Sequence, residues 1–320
     1  MNDSPSSSSR QTVEGCARLG DLAGLVRLLA QDADPSCQPS KALGEAAENG
    51  HAECVKLLIP VCDPMADDSR ALALAACNGH AECVKLLIPA SDPRSNDSGA
   101  IHWAACNGHA ECVKLLIPVS DPKADESQAL RAAAQNGHLE CVKLLIPVSG
   151  SKAHRSKALC FAAYNGHAEC VSLLIRFSDQ KDHNSIALRA AAVYGHAECV
   201  KILIPASDPQ ADDSAAFCAA AENSHVECSK LLASFSGPLL HKPKVLSAIV
   251  DGDSAEILSH MLAAEPLILS GAVLHGLLSS AILKSRPNLI HFLSAIVEQQ
   301  ALVADLSSPA PLNAPTSRRL

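Results

Sequence analysis

The sequence predicts an all-α protein built from stacked helical hairpins, and a repeated segment is the main reason. Asn-Gly-His-Ala-Glu-Cys-Val-Lys-Leu-Leu-Ile-Pro recurs with few changes every 29 residues, the step that separates Gly50 from Gly79. The same glycine returns at Gly108, Gly137, Gly166 and Gly195 and gives way to Ser224. A constant period of this length is typical of repeat proteins, whose units pack only against their neighbours.

Composition and charge agree with this fold class and narrow the choice of partner. Hydrophobic residues make up 48% of the chain but aromatic residues only 2%, a mixture that suits close-packed short helices better than a β-sandwich. The formal net charge is −8, which argues against nucleic acid or an anionic membrane as the main partner.

The repeat that starts at Ser127 shows why each unit should begin with a helix. Leu130, Ala133 and Ala134 fall on one helical face. Ser127 precedes them and can cap the helix through its hydroxyl. Gly137 follows, and glycine readily takes the left-handed conformation that ends a helix.

A second helix is expected from about 138 to 146 in the same repeat. Cys141, Leu144 and Leu145 are spaced to form its buried stripe, and Pro147 ends it. Two short helices cannot bury their apolar faces alone, so the neighbouring units must cover them.

At these positions the unit resembles an ankyrin repeat. The resemblance is carried by the Gly-His step, the pair Ala75 and Ala76, the Val-Lys-Leu-Leu segment from Val55 to Leu58, and the leucine at Leu43, Leu72, Leu130, Leu159 and Leu188. It extends over about 12–235 and, weakly, over 236–300. The likeness implies a curved, right-handed helix-turn-helix solenoid of about ten units that binds another protein.

The unit departs from the ankyrin pattern in two ways. It lacks the Thr-Pro-Leu-His opening, and its 29 residues are about four fewer than in an ankyrin repeat. The missing residues fall in the connector, where ankyrin repeats carry a β-hairpin finger. We therefore expect these fingers to be reduced or absent.

The repeats divide the chain into five parts. These are a disordered Ser-rich leader (1–11), an N-terminal capping repeat (12–39), seven ankyrin-like repeats (40–243), divergent C-terminal repeats that form a cap (244–305) and a disordered tail (306–320). The apolar stretch 266–283 is interpreted as a buried capping helix rather than a membrane span, because serine and glycine interrupt it and it lacks asymmetric basic flanks.

Comparison of the repeats with one another indicates a candidate binding surface. The outward positions of the first helices vary between units, and in ankyrin proteins these positions line the concave groove. Tryptophan, tyrosine and arginine most often dominate the binding energy of interfaces. The predicted partner-binding residues are His102, Trp103, Arg131, Phe161, Tyr164, Arg189 and Tyr194. The alternative is that Trp103 and Phe161 only fill space between the first helices.

The connectors form a second, acidic surface. It contains Asp63, Asp67, Asp68, Asp92, Asp97, Asp121, Asp125, Glu126, Asp212 and Asp213. Such a surface can steer a basic partner, or it can be a solvated edge that keeps a long array soluble. The sequence favours neither interpretation.

A histidine and a cysteine recur three residues apart in seven units, as in His138 and Cys141. A helix brings this spacing to one face, where the pair can hold a soft metal ion. A structural role is preferred, because each unit supplies only two ligands and the cysteine takes a buried position. We predict no cofactor and no metal. Equivalent cysteines would lie roughly 8–10 Å apart, too far for disulfides, so a reducing compartment is expected.

These patterns predict a non-enzymatic scaffold for protein–protein interaction. No phosphate-binding loop, nucleophile elbow or other catalytic signature occurs in the sequence. We expect a cytoplasmic monomer with a protein partner and without nucleic-acid or membrane partners. The alternative is a substrate adaptor, or a secreted bacterial effector translocated into a host cell, that recruits a protein to an enzyme supplied by its partner. A thiol or metal ladder is the third possibility.

Overall fold

A computed structural model of the chain describes residues 12–31, 39–178, 182–235, 239–240, 242–264 and 271–307. The segments expected to be a disordered leader and tail, 1–11 and 306–320, lie outside the described residues apart from the end of the last helix. The helices are α1 (Val13–Leu19), α2 (Leu22–Ala30), α3 (Pro39–Glu48), α4 (Ala52–Leu58), α5 (Ala66–Cys77), α6 (Ala81–Leu87), α7 (Ser95–Cys106), α8 (Ala110–Leu116), α9 (Ala124–Gln135), α10 (Leu139–Leu145), α11 (Lys152–Tyr164), α12 (Ala168–Leu174), α13 (Asp182–Val193), α14 (Ala197–Leu203), α15 (Ala211–Glu222), α16 (Val226–Ala233), α17 (Pro243–Asp251), α18 (Ala255–Ala264), α19 (Gly271–Leu283) and α20 (Pro287–Ser307).

The helices follow one another in pairs, so that each odd-numbered helix is the first and each even-numbered helix the second of a hairpin. Ten hairpins lie within the described residues, which confirms an all-α, helix-turn-helix repeat solenoid of about ten units. The chain forms two compact units. The first unit consists of two segments, the chain up to Ala191 and Glu198–Asp208. The second consists of Ala192–Ala197 and the chain from Pro209 onward. Neighbouring first helices pack together, as do neighbouring second helices. Examples are α7 with α9 and α8 with α10 in the first unit, and α15 with α17 and α16 with α18 in the second.

The described connectors contain no β-strand, and four of them lead into a left-handed turn at the start of a first helix. In each turn three consecutive residues have φ between 41° and 65°. The turns are Asp67–Ser69 in α5, Asn96–Ser98 in α7, Asp125–Ser127 in α9 and Asp212–Ser214 in α15. Left-handed backbone costs roughly 1–2 kcal/mol per residue, and Asp and Asn tolerate it better than most residues.

Ser127 does not cap its helix, contrary to the sequence prediction. Its backbone is left-handed, with φ of 62°, and its buried hydroxyl accepts the N–H of Gly150 in the next connector at 2.9 Å. Ser98 accepts the N–H of Asp121 in the same way, also at 2.9 Å. Because the left-handed turn directs the hydroxyl away from the helix end, the recurrent serine joins adjacent repeats instead.

The Asn-Gly-His step forms a second link between neighbouring repeats. Gly108 has φ of +79°, and a methyl group on it would lie 2.5 Å from Nδ1 of His138 in the next repeat. The Nε2–H of His138 donates to the carbonyl of Cys106 at 3.0 Å. Equivalent histidines bond a carbonyl of the preceding repeat at 2.9–3.1 Å, namely His51, His80, His109, His167 and His225. Glycine is therefore required both by the backbone and by the close approach of the imidazole.

The core follows the predicted stripes with two changes. Cys141 and Leu145 are buried as expected, but Val142 is also fully buried, whereas Leu144 is only half-buried. The buried arc of α10 is wider than the predicted stripe because α8, α9 and α12 all pack against this helix.

The second unit contains an apolar helix, α19, that is covered on one side. Leu274, Leu277 and Ala281 of α19 are buried, while Ile282 and Leu283 are 56% and 85% exposed. The stretch expected to form a buried capping helix is thus buried on one face, and its first residues, 266–270, lie outside the described part of the chain. No helix among the described residues is long and apolar enough to cross a membrane.

Candidate functional site

The exposed side of four first helices in the first unit carries most of the predicted binding residues. We name the solvent-facing side of α7, α9, α11 and the part of α13 up to Ala191 the first-helix face. On α7, Ile101, Ala104 and Ala105 are buried, and Trp103 lies on the other side of the helix with 44% of its surface exposed. The helical period explains the arrangement, since residues three or four apart share a face.

Helix α11 contributes two aromatic side chains to this face. Phe161 and Tyr164 are three residues apart and are 38% and 46% exposed. Helix α9 packs between α7 and α11, and its equivalent residue is the small, buried Ala132. Trp103 and Phe161 therefore face solvent two helix spacings apart, which is roughly 16–20 Å.

The imidazole ring of His102 contacts the indole ring of Trp103 on the same helix. The two rings meet edge to face, with centroids 5.1 Å apart and an interplanar angle of 61°. His102 is half-buried, and its Nδ1 is buried without a hydrogen-bond partner. Burial, and then the nearby charge of Arg131, lower the pKa of the imidazole, which favours the neutral ring.

Arg131 lies at the edge of the face and binds the left-handed turn of its own repeat. Its Nη2 donates to the carbonyl of Asp125 at 2.9 Å and to the carboxylate at 3.1 Å, and its side chain is 22% exposed. Nη1 lies 3.8 Å from the carboxylate of Glu126. Glu126 also accepts a 2.5 Å bond from Lys157 of α11, and this bond lowers the pKa of the Glu126 carboxyl.

Glu126 and Lys157 lie beside the predicted residues, although the sequence did not indicate them as part of this site. They are 31 residues apart, in different repeats, and only the stacking of the first helices brings them together. The one available signal was that Lys157 occupies an outward position of its helix, as Arg131 does in the repeat before it.

Arg189 and Tyr194 belong to different units. Arg189 is exposed on α13 in the first unit. Tyr194 is 46% exposed and lies in the second unit, where its ring stacks on His196 with centroids 6.5 Å apart. The first-helix face of the first unit therefore contains six of the seven predicted residues, His102, Trp103, Arg131, Phe161, Tyr164 and Arg189.

The surroundings of the repeated histidine–cysteine pairs indicate a structural role for both residues. Cys112 and Cys141 are buried, and desolvation raises the pKa of both thiols to about 11, whereas metals and electrophiles react with the thiolate. The partner of Cys141 in the motif, His138, donates its Nε2–H to a backbone carbonyl. Within the described part of the chain, no three His, Cys, Asp or Glu side chains are grouped as metal ligands.

Several acidic residues of the connector surface form hydrogen bonds or ion pairs within their own repeats. The carboxylates of Asp63, Asp92 and Asp121 each accept the N–H two residues further on, at 2.9–3.0 Å. Asp125 and Glu126 bind the guanidinium of the same repeat. These side chains shape the connectors, which gives them a role that does not depend on a partner.

Comparison with known proteins identifies the repeat. A family model of ankyrin repeats matches three overlapping segments, residues 14–97, 90–156 and 130–213, which together span more than half of the chain. Among solved structures, the crystal structure of the human ASB11 ankyrin repeat domain matches with 23% sequence identity and a TM-score of 0.49, covering 64% of this chain and 95% of that one. A search of the curated proteins finds no match.

Proposed function

Because this chain belongs to the ankyrin repeat family, whose repeats are generally protein-interaction scaffolds, we propose that it binds a partner protein on its first-helix face. The family match confirms the resemblance seen in the sequence. In this proposal the chain is a monomeric scaffold without catalytic activity of its own. No disulfide bond joins the cysteines that the structure describes, which supports a reducing compartment such as the cytoplasm.

The exposure of three aromatic side chains is the observation that carries the proposal. Trp103, Phe161 and Tyr164 are 44%, 38% and 46% exposed in a chain with only 2% aromatic residues. Aromatic side chains supply large apolar contact areas, and Trp and Tyr are enriched among the residues that dominate binding energy. Placing them on an outward surface, instead of in the core, suits contact with another protein.

The rigidity of the surface is a second support. Ser127 and His138 bond to backbone groups of neighbouring repeats, and Glu126 of α9 forms an ion pair with Lys157 of α11. A face held in one arrangement loses little conformational entropy when a partner binds, so more of the contact energy appears as affinity.

Affinity capture from a cell lysate tests the proposal. The variant Trp103/Phe161/Tyr164→Ala removes the aromatic side chains of the face. The variant Val61/Met65/Phe177→Ala is the matched control, because it removes three apolar connector side chains that are 45%, 58% and 42% exposed. Circular dichroism first establishes that both variants are folded.

We expect the wild type and the connector variant to capture the same protein, and the aromatic variant to lose it. Equal recovery by all three proteins would contradict docking on the first-helix face. Loss with the connector variant alone would move the binding surface to the connectors.

A further inference from the structure

The first-helix face carries positive charge on a negatively charged molecule. The right-handed parts of α7, α9, α11 and α13 contain no acidic residue over 99–106, 128–135, 157–164 and 186–193. Arg131, Lys157 and Arg189 lie in these segments, one on each of α9, α11 and α13. Helix α3, near the start of the same unit, carries Glu45 and Glu48 instead, and the whole chain has a formal charge of −8.

Helix α11 adds basic residues where the preceding repeat has acidic ones. His154 and Arg155 take the places that Asp125 and Glu126 hold one repeat earlier. The helix starts without a left-handed turn and has no acidic residue in its first turn, which begins at Lys152. Basic side chains are unfavourable there because the helix dipole places partial positive charge at the N-terminus. A local departure from good helix design of this kind often marks a functional demand.

Much of this positive charge is not neutralised by carboxylates. Arg155 donates from Nε to the carbonyl of Phe177 and from Nη1 to the carbonyl of Gly150, both at 3.0 Å, and carbonyls leave its net charge unchanged. Lys152 is exposed. Asp125 and Glu126 together balance Arg131 and Lys157, so the excess positive charge of α11 lies with Lys152 and Arg155 in the first turns of the helix.

We infer that the partner presents an acidic segment to this face, with carboxylates beside an apolar or aromatic side chain. The inference rests on the proposed docking function. The apolar side chain contacts Phe161 and Tyr164, and the carboxylates meet Lys152, Lys157 and Arg189. Such complementarity speeds association and selects among partners. A short acidic segment fits better than nucleic acid, because the negative net charge of the chain repels a continuous phosphate backbone.

Selection from a random-sequence peptide library on the full chain tests the inference. Enriched peptides are measured at low salt against the variant Lys152/Lys157/Arg189→Gln. The control is Lys85/Lys114/Lys143→Gln, which removes three lysines that are 66%, 65% and 49% exposed on second helices, each paired with a glutamate three residues before it. We expect the enriched peptides to be rich in Asp and Glu. Their affinity should fall roughly tenfold with the first variant and remain unchanged with the control.

The other outcomes separate this inference from the docking function. Neutral or basic peptides whose binding is lost in Phe161/Tyr164→Ala overturn the acidic partner while leaving the docking surface in place. Failure to enrich any peptide that depends on Phe161 and Tyr164 contradicts the docking function as well. A duplex DNA oligonucleotide that binds as tightly as the selected peptides, and is lost with the Gln variant of the face, overturns the choice of a protein segment.

Discussion

At the residue scale, the glycine of the Asn-Gly-His step has two separate reasons to be glycine. Gly108 has a left-handed backbone with φ of +79°, and the imidazole of His138 packs against the position where a side chain would begin. The same imidazole bonds the carbonyl of Cys106 across the repeat boundary. One residue therefore controls both the turn within a hairpin and the contact with the next one.

Gly108→Ala should lower the free energy of unfolding by about 2–4 kcal/mol, since it combines the cost of a left-handed alanine with overpacking against His138. Urea denaturation measures this change. Gly44→Ala is the control, because Gly44 lies inside α3 and its added methyl group would be 3.5 Å from Leu74. That substitution should leave stability unchanged or raise it by up to about 1 kcal/mol. Equal losses for both substitutions would contradict the role given to the turn.

His102 is expected to make stability depend on pH. Its pKa is lowered in the folded chain by burial and by Arg131, with Asp125 opposing, from an ordinary value of 6.5. The unfolded chain therefore takes up this proton first as pH falls below 6.5, and the folded state loses stability until pH reaches the lowered pKa. His102→Gln should reduce the loss of unfolding free energy between about pH 7.5 and about pH 5.5. An identical loss in wild type and variant would show that the ring titrates normally.

At the element scale, the left-handed turns replace the β-hairpin fingers of longer repeats. Three of the four turns place a buried serine where its hydroxyl accepts a backbone N–H of the next connector, as Ser69 does for Asp92 at 2.9 Å. In the fourth turn the hydroxyl of Ser214 accepts a bond from Nζ of Lys242 at 2.8 Å. The hydrogen bond between repeats thus offsets part of the strain of the three left-handed residues. It also links adjacent connectors without a β-strand.

Asp68→Gly should be neutral or stabilising, although it places glycine within the bounds of α5. Asp68 is exposed and has φ of 55°, so glycine relieves up to roughly 1–2 kcal/mol of backbone strain. Ala73→Gly lies in the right-handed part of the same helix and should cost about 1 kcal/mol. Thermal unfolding of the two variants compares them directly, and a destabilising Asp68→Gly would argue for an ordinary helical start.

The sequence predicted the hairpins better than it predicted their connectors. The 29-residue step and the glycine after each first helix determine where the two helices begin and end, because both depend on local patterns. The left-handed turn at 125–127 was missed because it contains no glycine, although Asp and Asn before the recurrent serine are the residues that tolerate such a backbone. The predicted cap at Ser127 was wrong for the same reason.

In the candidate site too, features that depend on local sequence were predicted, whereas contacts between repeats were not. The exposed positions of Trp103 and Tyr164 follow from helical period and from comparison of the repeats. The ion pair between Glu126 and Lys157 does not, because it connects α9 with α11 and depends on how the repeats stack. Only the structure shows that Arg131 already has carboxylate partners.

At the scale of the whole molecule, buried and exposed aromatic side chains are expected to have different roles. Phe217 is fully buried in the second unit, whereas Phe161 is 38% exposed on the first-helix face. Phe217→Ala should therefore lower the free energy of unfolding by about 3–5 kcal/mol, the usual cost of a core cavity. Phe161→Ala should cost about 1 kcal/mol, because its side chain is only partly buried. Similar losses in urea denaturation would mean that Phe161 serves the stack and not a partner.

The fluorescence of Trp103 tests the central claim most directly. This residue is the only tryptophan in the chain, so its emission reports on the first-helix face alone. A binding protein or peptide without tryptophan is titrated into the full chain while calorimetry follows binding independently. Docking on this face predicts a shift of the emission to shorter wavelength that saturates together with the heat of binding, because Trp103 loses contact with water. Binding by calorimetry with unchanged emission from Trp103 would contradict the account.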